Sequence, residues 1–156
     1  MTEGTPSASL LEDLLRRLEE ARQALVDSLE ACDPERFALE DTQGESVKRV
    51  LERTADDLIF YYGRLVAQAV SQSQPPRLQK AEFGSLWEAT ASLQVAHRRL
   101  SHLLHDLLPA DLGRTVADEE HGNYTLRELL EMTTTYYVEQ AQQVSRLLAQ
   151  MSGDGR

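Results

Sequence analysis

Four histidines come first, because imidazole is both the commonest metal ligand and the side chain that titrates nearest neutral pH. His97, His102 and His105 fall in one apolar-periodic segment and His121 in the link after it. His102 and His105 are three apart, and His97 and His105 lie two turns apart, spacings that share a helix face. A helix-surface pair without a third donor binds metal weakly. These residues therefore read as a solvated or rim face, with His97, near the apolar stripe, as a satisfied core histidine. The run "ADEEHGN", Ala117 to Asn123, gathers Asp118, Glu119, Glu120 and His121. Its donors suit a divalent cation, but no spacing fixes a geometry, so it reads as a charged, solvated loop. There is no glycine-rich phosphate loop, GxSxG elbow, HExxH motif or ExxH pair.

A second concentration of chemistry is the stretch "EMTTTYYVEQAQQ", Glu131 to Gln143. Threonine and tyrosine lose rotamer freedom inside a helix, yet here they interrupt a strongly helical pattern. On a 3.6-residue repeat, Leu126, Leu129, Thr133, Tyr136, Gln140, Val144 and Leu147 form one seam, polar in the middle and leucine-rich at both ends. An earlier segment matches it, placing Thr54 and Tyr61 at mid-length and Arg53 and Asp57 at the stripe's edge. Buried polar groups cost about 1–3 kcal/mol each if unpaired, so such a cluster implies mutual pairing, water or a ligand. Two readings stay open: a sealed hydrogen-bond network that fixes register, or a pocket between the two helices.

The elements that must position these groups are four segments of helical periodicity, none with sustained period-two alternation. The first runs from about Leu10 to Cys32 behind a Ser9–Glu12 capping box, and the second from about Glu45 to Ser71 behind Thr42–Glu45. The third runs from about Leu86 to Leu108 behind Ser85–Glu88. The fourth opens with Thr125–Glu128. Asp33 before Pro34 predicts one short helical turn after the first helix. The link from Pro109 to Tyr124 is long for a bundle and predicts an irregular crossing over one end. Four amphipathic helices bury their apolar faces best against one another, so the fold class is all-α, a four-helix bundle with a long connection between helices three and four.

Sixteen Lys and Arg against 26 Asp and Glu leave a net charge of −10 in 156 residues. That length predicts a single domain over residues 9–150, with residues 1–8 and 151–156 disordered. The negative charge disfavours nucleic acid and anionic membrane surfaces as partners. The single cysteine, Cys32, excludes an internal disulfide and suits a reducing cytoplasm. No basic segment precedes an apolar run at the N-terminus, so a soluble, unexported protein is expected.

"TLRELLEMTTTYYVEQAQQVSRLL" resembles the last helix of the DinB/YfiT-like superfamily of four-helix bundles. "ESVKRVLERTADD" is similar to the start of their second helix, and "SLWEATASLQVAHRRLSHLLHDL" to their third in length and cap. The resemblance covers nearly the entire chain and is carried by pattern and order. It implies a site in which three histidines hold nickel or zinc, one on the second helix in an HxxD-like context and two spaced HxxxH on the fourth. Those positions fall here on Arg53 of "RTAD" and on Tyr136 and Gln140. Neither a guanidinium nor an amide nitrogen is a useful metal ligand, so the family's metal cofactor is expected to be absent. Arg53 is expected to replace the ion's positive charge, with Asp57 pairing to it one turn later and Tyr136 and Gln140 facing it. Such a site, flanked by Thr54, Tyr61 and Thr133, would hold a small polar or anionic ligand. The resemblance, with the leucine stripe of helix one, also implies a homodimer. It leaves two alternatives: a metal- or thiol-dependent transferase using Asp56, Asp57, Glu139 or His121, and a structural or partner-binding bundle with a filled centre.

Overall fold

A computed structural model describes residues 8–72, 80–118 and 122–154. The predicted disorder of residues 1–7 and 155–156, and Glu119, Glu120 and His121 of the acidic link, lie outside those residues. Four helical rods form the bundle: α1 (Ala8–Leu29); α2 (Val47–Asp56), which continues without a break into α3 (Gly63–Ala69); α4 (Leu86–Leu103); and α5 (Leu126–Asp154). The last helix therefore extends past Met151, where the tail was expected to begin.

The α1 stripe Leu11, Leu14, Leu18, Ala21, Leu25 and Leu29 is buried, and α1 packs along α5. A buried leucine contributes about 1.5–3 kcal/mol, whereas an exposed pair such as Arg16–Glu20 contributes about 0.3–0.5 kcal/mol. The stripe, not the ion pairs, therefore orients α1. Because the stripe is covered within the protomer, it offers no free face to a second copy, and the sequence argument for a homodimer loses that support.

Of the four predicted capping boxes the Thr125–Glu128 box closes on both sides, and the Ser85–Glu88 box closes on one, Glu88 Oε2 accepting the Gly84 amide in place of that of Ser85. Ser85 Oγ accepts the Glu88 N–H (3.1 Å), and Thr125 and Glu128 bond reciprocally, each side chain to the other's amide at 3.0 Å. The first helix already contains Ser9, so the Ser9–Glu12 box is not its start. In the second rod the cap is Ser46, extended at φ −147° and ψ 162°, whose Oγ accepts the Arg49 N–H. The expected Thr42–Glu45 box is displaced because Asp41 Oδ1 accepts the Gln43 and Glu45 amides, holding a turn through Gly44 at φ +78°. Asp33 takes the Arg36 amide, but the segment forms turns and no helix.

The join between α2 and α3, Asp57–Tyr62, is a π turn. There the Gly63 N–H reaches back five residues to the Leu58 carbonyl, and a Cβ at Gly63 would lie 2.4 Å from that oxygen. Glycine is required at this close approach. The chain returning to α4 is fastened to α2 by Asp56 Oδ1, which accepts the Ala81 amide (2.8 Å), and by Glu52 Oε2, which accepts the Phe83 amide (2.8 Å).

The long link is not an irregular crossing. After a 3-10 turn at Pro109–Gly113 it forms an antiparallel hairpin, β1 (Thr115–Asp118) with β2 (Gly122–Thr125), with Val116 opposite Tyr124. Buried Val116 and a hydrogen bond from Tyr61 OH to Asp118 Oδ2 (3.1 Å) seat the hairpin on the bundle. The α4 helix stops at Leu103, five residues short of expectation (108 minus 103), so His105 lies in the turn beyond it and does not share a helix face with His97 or His102.

Candidate functional site

The Ser46 cap fixes where α2 starts, and with it the rotation of Arg53, Thr54 and Asp57. Thr54 and Thr133 are fully buried, and each hydroxyl donates to the carbonyl one turn back, Val50 and Leu129, at 2.7 Å. Their polar groups are thereby satisfied within their own helices, which is how a threonine survives at a helix–helix contact. Asp57 and Tyr136 meet across the seam. Tyr136 OH donates to Asp57 Oδ2 at 2.5 Å and lies 3.5 Å from the Arg53 carbonyl. Burial and then the Asp57 carboxylate push the Tyr136 phenol well above its ordinary value near 10. The Tyr62 ring packs on Tyr136 with centroids 4.9 Å apart, and its phenol is raised by burial and by Asp57 and Glu139.

Arg53 does not pair with Asp57. Its guanidinium turns to Glu45 (Nη2–Oε2 2.7 Å), and the same Glu45 oxygen accepts from Gln143 Nε2 at 3.2 Å. The expected i,i+4 pair is lost because each partner has another: Tyr136 takes the carboxylate, and Glu45, freed from capping, takes the cation. Gln140 lies one turn beyond Tyr136 and is buried. Its amide makes no side-chain hydrogen bond within the described residues. Tyr61 belongs to the hairpin contact through Asp118 and meets the Tyr62 ring edge-on, with centroids 4.9 Å apart.

The other chemical candidates scatter. Asp56 holds the returning chain and Glu139 is exposed. His105 sits beside Asp106 on the surface. His97 is the satisfied core histidine expected of it, bonded through Nδ1 to Tyr137 OH (2.9 Å) and through Nε2 to Glu19 (3.1 Å). Among the described residues no group of three or more His, Cys, Asp or Glu is placed to hold a metal ion. At Arg53, Tyr136 and Gln140 the donor set does not fit a metal: a guanidinium engaged with Glu45, a protonated phenol and an amide. Sequence reasoning missed Glu45, Gln143 and Tyr62. Glu45 was hidden by its match to a capping box, and Tyr62 by its position in the π turn.

Fold and seam together define a four-helix bundle capped by a short hairpin, with a polar contact between α2 and α5 at mid-height. Among solved structures, YfiT from Bacillus subtilis, described as a probable metal-dependent hydrolase with an unusual four-helix bundle topology, shares this fold. The TM-score is 0.68 at 18% identity, covering 96% of this chain and 93% of that chain. No family model and no curated protein matches the sequence. No described helix is long and apolar enough to cross a membrane.

Proposed function

We propose that this protein is a bundle of the YfiT fold in which the metal position has become a hydrogen-bonded polar seam, and that it acts as a non-catalytic or small-ligand-binding domain. The observation that carries this reading is the Tyr136–Asp57 hydrogen bond, made while Glu45 neutralises Arg53. A ligand at Arg53, Asp57, Tyr136 and Gln140 would be polar and hydrogen-bonding, using the Gln140 amide. An anion is disfavoured, since it would have to displace Glu45. The available nucleophiles are muted: burial raises the Tyr136 phenol, and buried Cys32 has its thiol raised by desolvation. One buried free thiol also suits a reducing cytoplasm.

Elemental analysis of the purified protein tests this reading. Nickel and zinc are expected well below one per chain, and stoichiometric metal overturns it. Installing Arg53→His, Tyr136→His and Gln140→His together is expected to create a nickel or zinc site. If that variant binds neither ion, these are not the metal positions. The competing reading is a metal- or thiol-dependent transferase, of which only the metal dependence has a parallel in the description of YfiT. Metal-stimulated turnover of a low-molecular-weight thiol would support it.

A further inference from the structure

A groove of about 510 Å³ opens on the opposite side of the α2–α3 rod, against α4. The π turn contributes Leu58, Ile59 and Gly63, and α4 contributes Val95, Ala96, Leu100 and Leu103. Leu58, Ala96 and Leu100 are each 2% exposed and form the floor, while Val95, 46% exposed, stands at the mouth. The volume falls in the range of small-molecule sites, and the lining is aliphatic, as such sites usually are.

The rim is cationic. Arg98, Arg99 and His102 line the groove and are exposed. In a chain of net charge −10, Arg16, Arg22, Arg36, Arg53 and Arg127 each hold a carboxylate. The guanidiniums of Arg98 and Arg99 make no ion pair or hydrogen bond with any described residue. Two adjacent guanidiniums left unpaired amid excess acid, beside an apolar cavity, are complementary to a ligand with an aliphatic body and an anionic head. Guanidinium binds carboxylate through paired N–H donors, a stronger contact than a lysine would give.

We propose that this groove binds a free single-chain carboxylate, its alkyl chain on Leu58, Ala96 and Leu100 and its head on Arg98 and Arg99. The site shares no residue with the α2–α5 seam and stands or falls independently of it. A bilayer lipid is the poorer occupant, because the protein's overall negative charge repels an anionic surface.

Calorimetric titration with decanoate below its micellar concentration tests the proposal. Saturable one-to-one binding is expected, weakened at least tenfold in Arg98→Glu/Arg99→Glu and abolished in Val95→Trp, which fills the mouth. Both variants change exposed side chains, and circular dichroism checks that they fold. Decyltrimethylammonium is expected not to bind. The proposal is overturned if decanoate does not saturate, if the ammonium binds equally well, or if neither variant weakens binding. It is also overturned if the protein binds only phosphatidylglycerol vesicles, or if the two substitutions instead abolish a dimer seen by light scattering.

Discussion

Tyr136 on α5 donates its hydroxyl to Asp57 on the second rod at 2.5 Å, making it the side-chain link between these helices at the level of the polar seam. The pair answers why a helix tolerates "TTTYY" in its middle. The Thr133 and Thr134 hydroxyls bond to carbonyls one turn back in their own helix, Thr135 is exposed, Tyr136 reaches across to Asp57 and Tyr137 meets His97.

Tyr136→Phe removes the donor from a half-buried carboxylate and is expected to lower unfolding stability by about 1–2 kcal/mol. Asp57→Asn keeps an acceptor and should cost less. A double-mutant cycle in urea should return a coupling energy of about 1 kcal/mol, and zero coupling would show that the two residues act independently.

The helix start at Ser46 is tested by paired alanine substitutions. Ser46→Ala should cost about 1 kcal/mol through the lost cap to Arg49, more if the buried site is left unfilled. Thr42→Ala, at an exposed turn position, should change stability by less than about 0.5 kcal/mol. Equal losses would restore the Thr42–Glu45 box.

His97 makes stability pH-dependent. Burial, then Arg22, holds its imidazole below the ordinary 6.5, so below that pH the unfolded chain takes up a proton that the folded chain resists. This contribution is complete above 6.5 and fades as pH falls through the native value. Glu19 accepts from Nε2–H, leaving Nδ1 to accept from Tyr137. His97→Gln can make both contacts without titrating. Denaturant midpoints measured from pH 7.5 to 5.5 should therefore fall for the wild type and fall less for the variant.

Gly63→Ala introduces a Cβ 2.4 Å from the Leu58 carbonyl and should cost about 1–3 kcal/mol as the π turn rearranges. Thermal unfolding checks it. An unchanged midpoint would mean that the rod relaxes to ordinary α winding at no cost.

What could be read from residue order is what depends on neighbours three or four positions apart. The caps at Ser85 and Thr125 and the apolar stripe of α1 are local patterns, and all three formed. At Ser46 two local patterns competed, and the winner was decided by the Asp41 turn, whose hydrogen bonds no periodicity reports. The π turn occupies one turn, too short to disturb a periodic count. Each hairpin strand is four residues, too short to show alternation. At the seam, residue types placed Tyr136 and Asp57 near mid-height, but not which partner each would choose. That choice depends on helix rotation and on Glu45, which is eight residues from Arg53.

The π turn also marks where this protein tolerates a change of length. A π turn holds about one residue more than an α turn, so deleting one residue between Asp57 and Tyr62 would restore ordinary winding and leave every later side chain of the rod close to its present direction. Gly63 and Val66, now buried, would keep their present facing while the helix stayed continuous. A single-codon loss there would therefore shorten the rod without redrawing the wall facing α4, whereas the same loss elsewhere in the rod would swing every later side chain by about 100°.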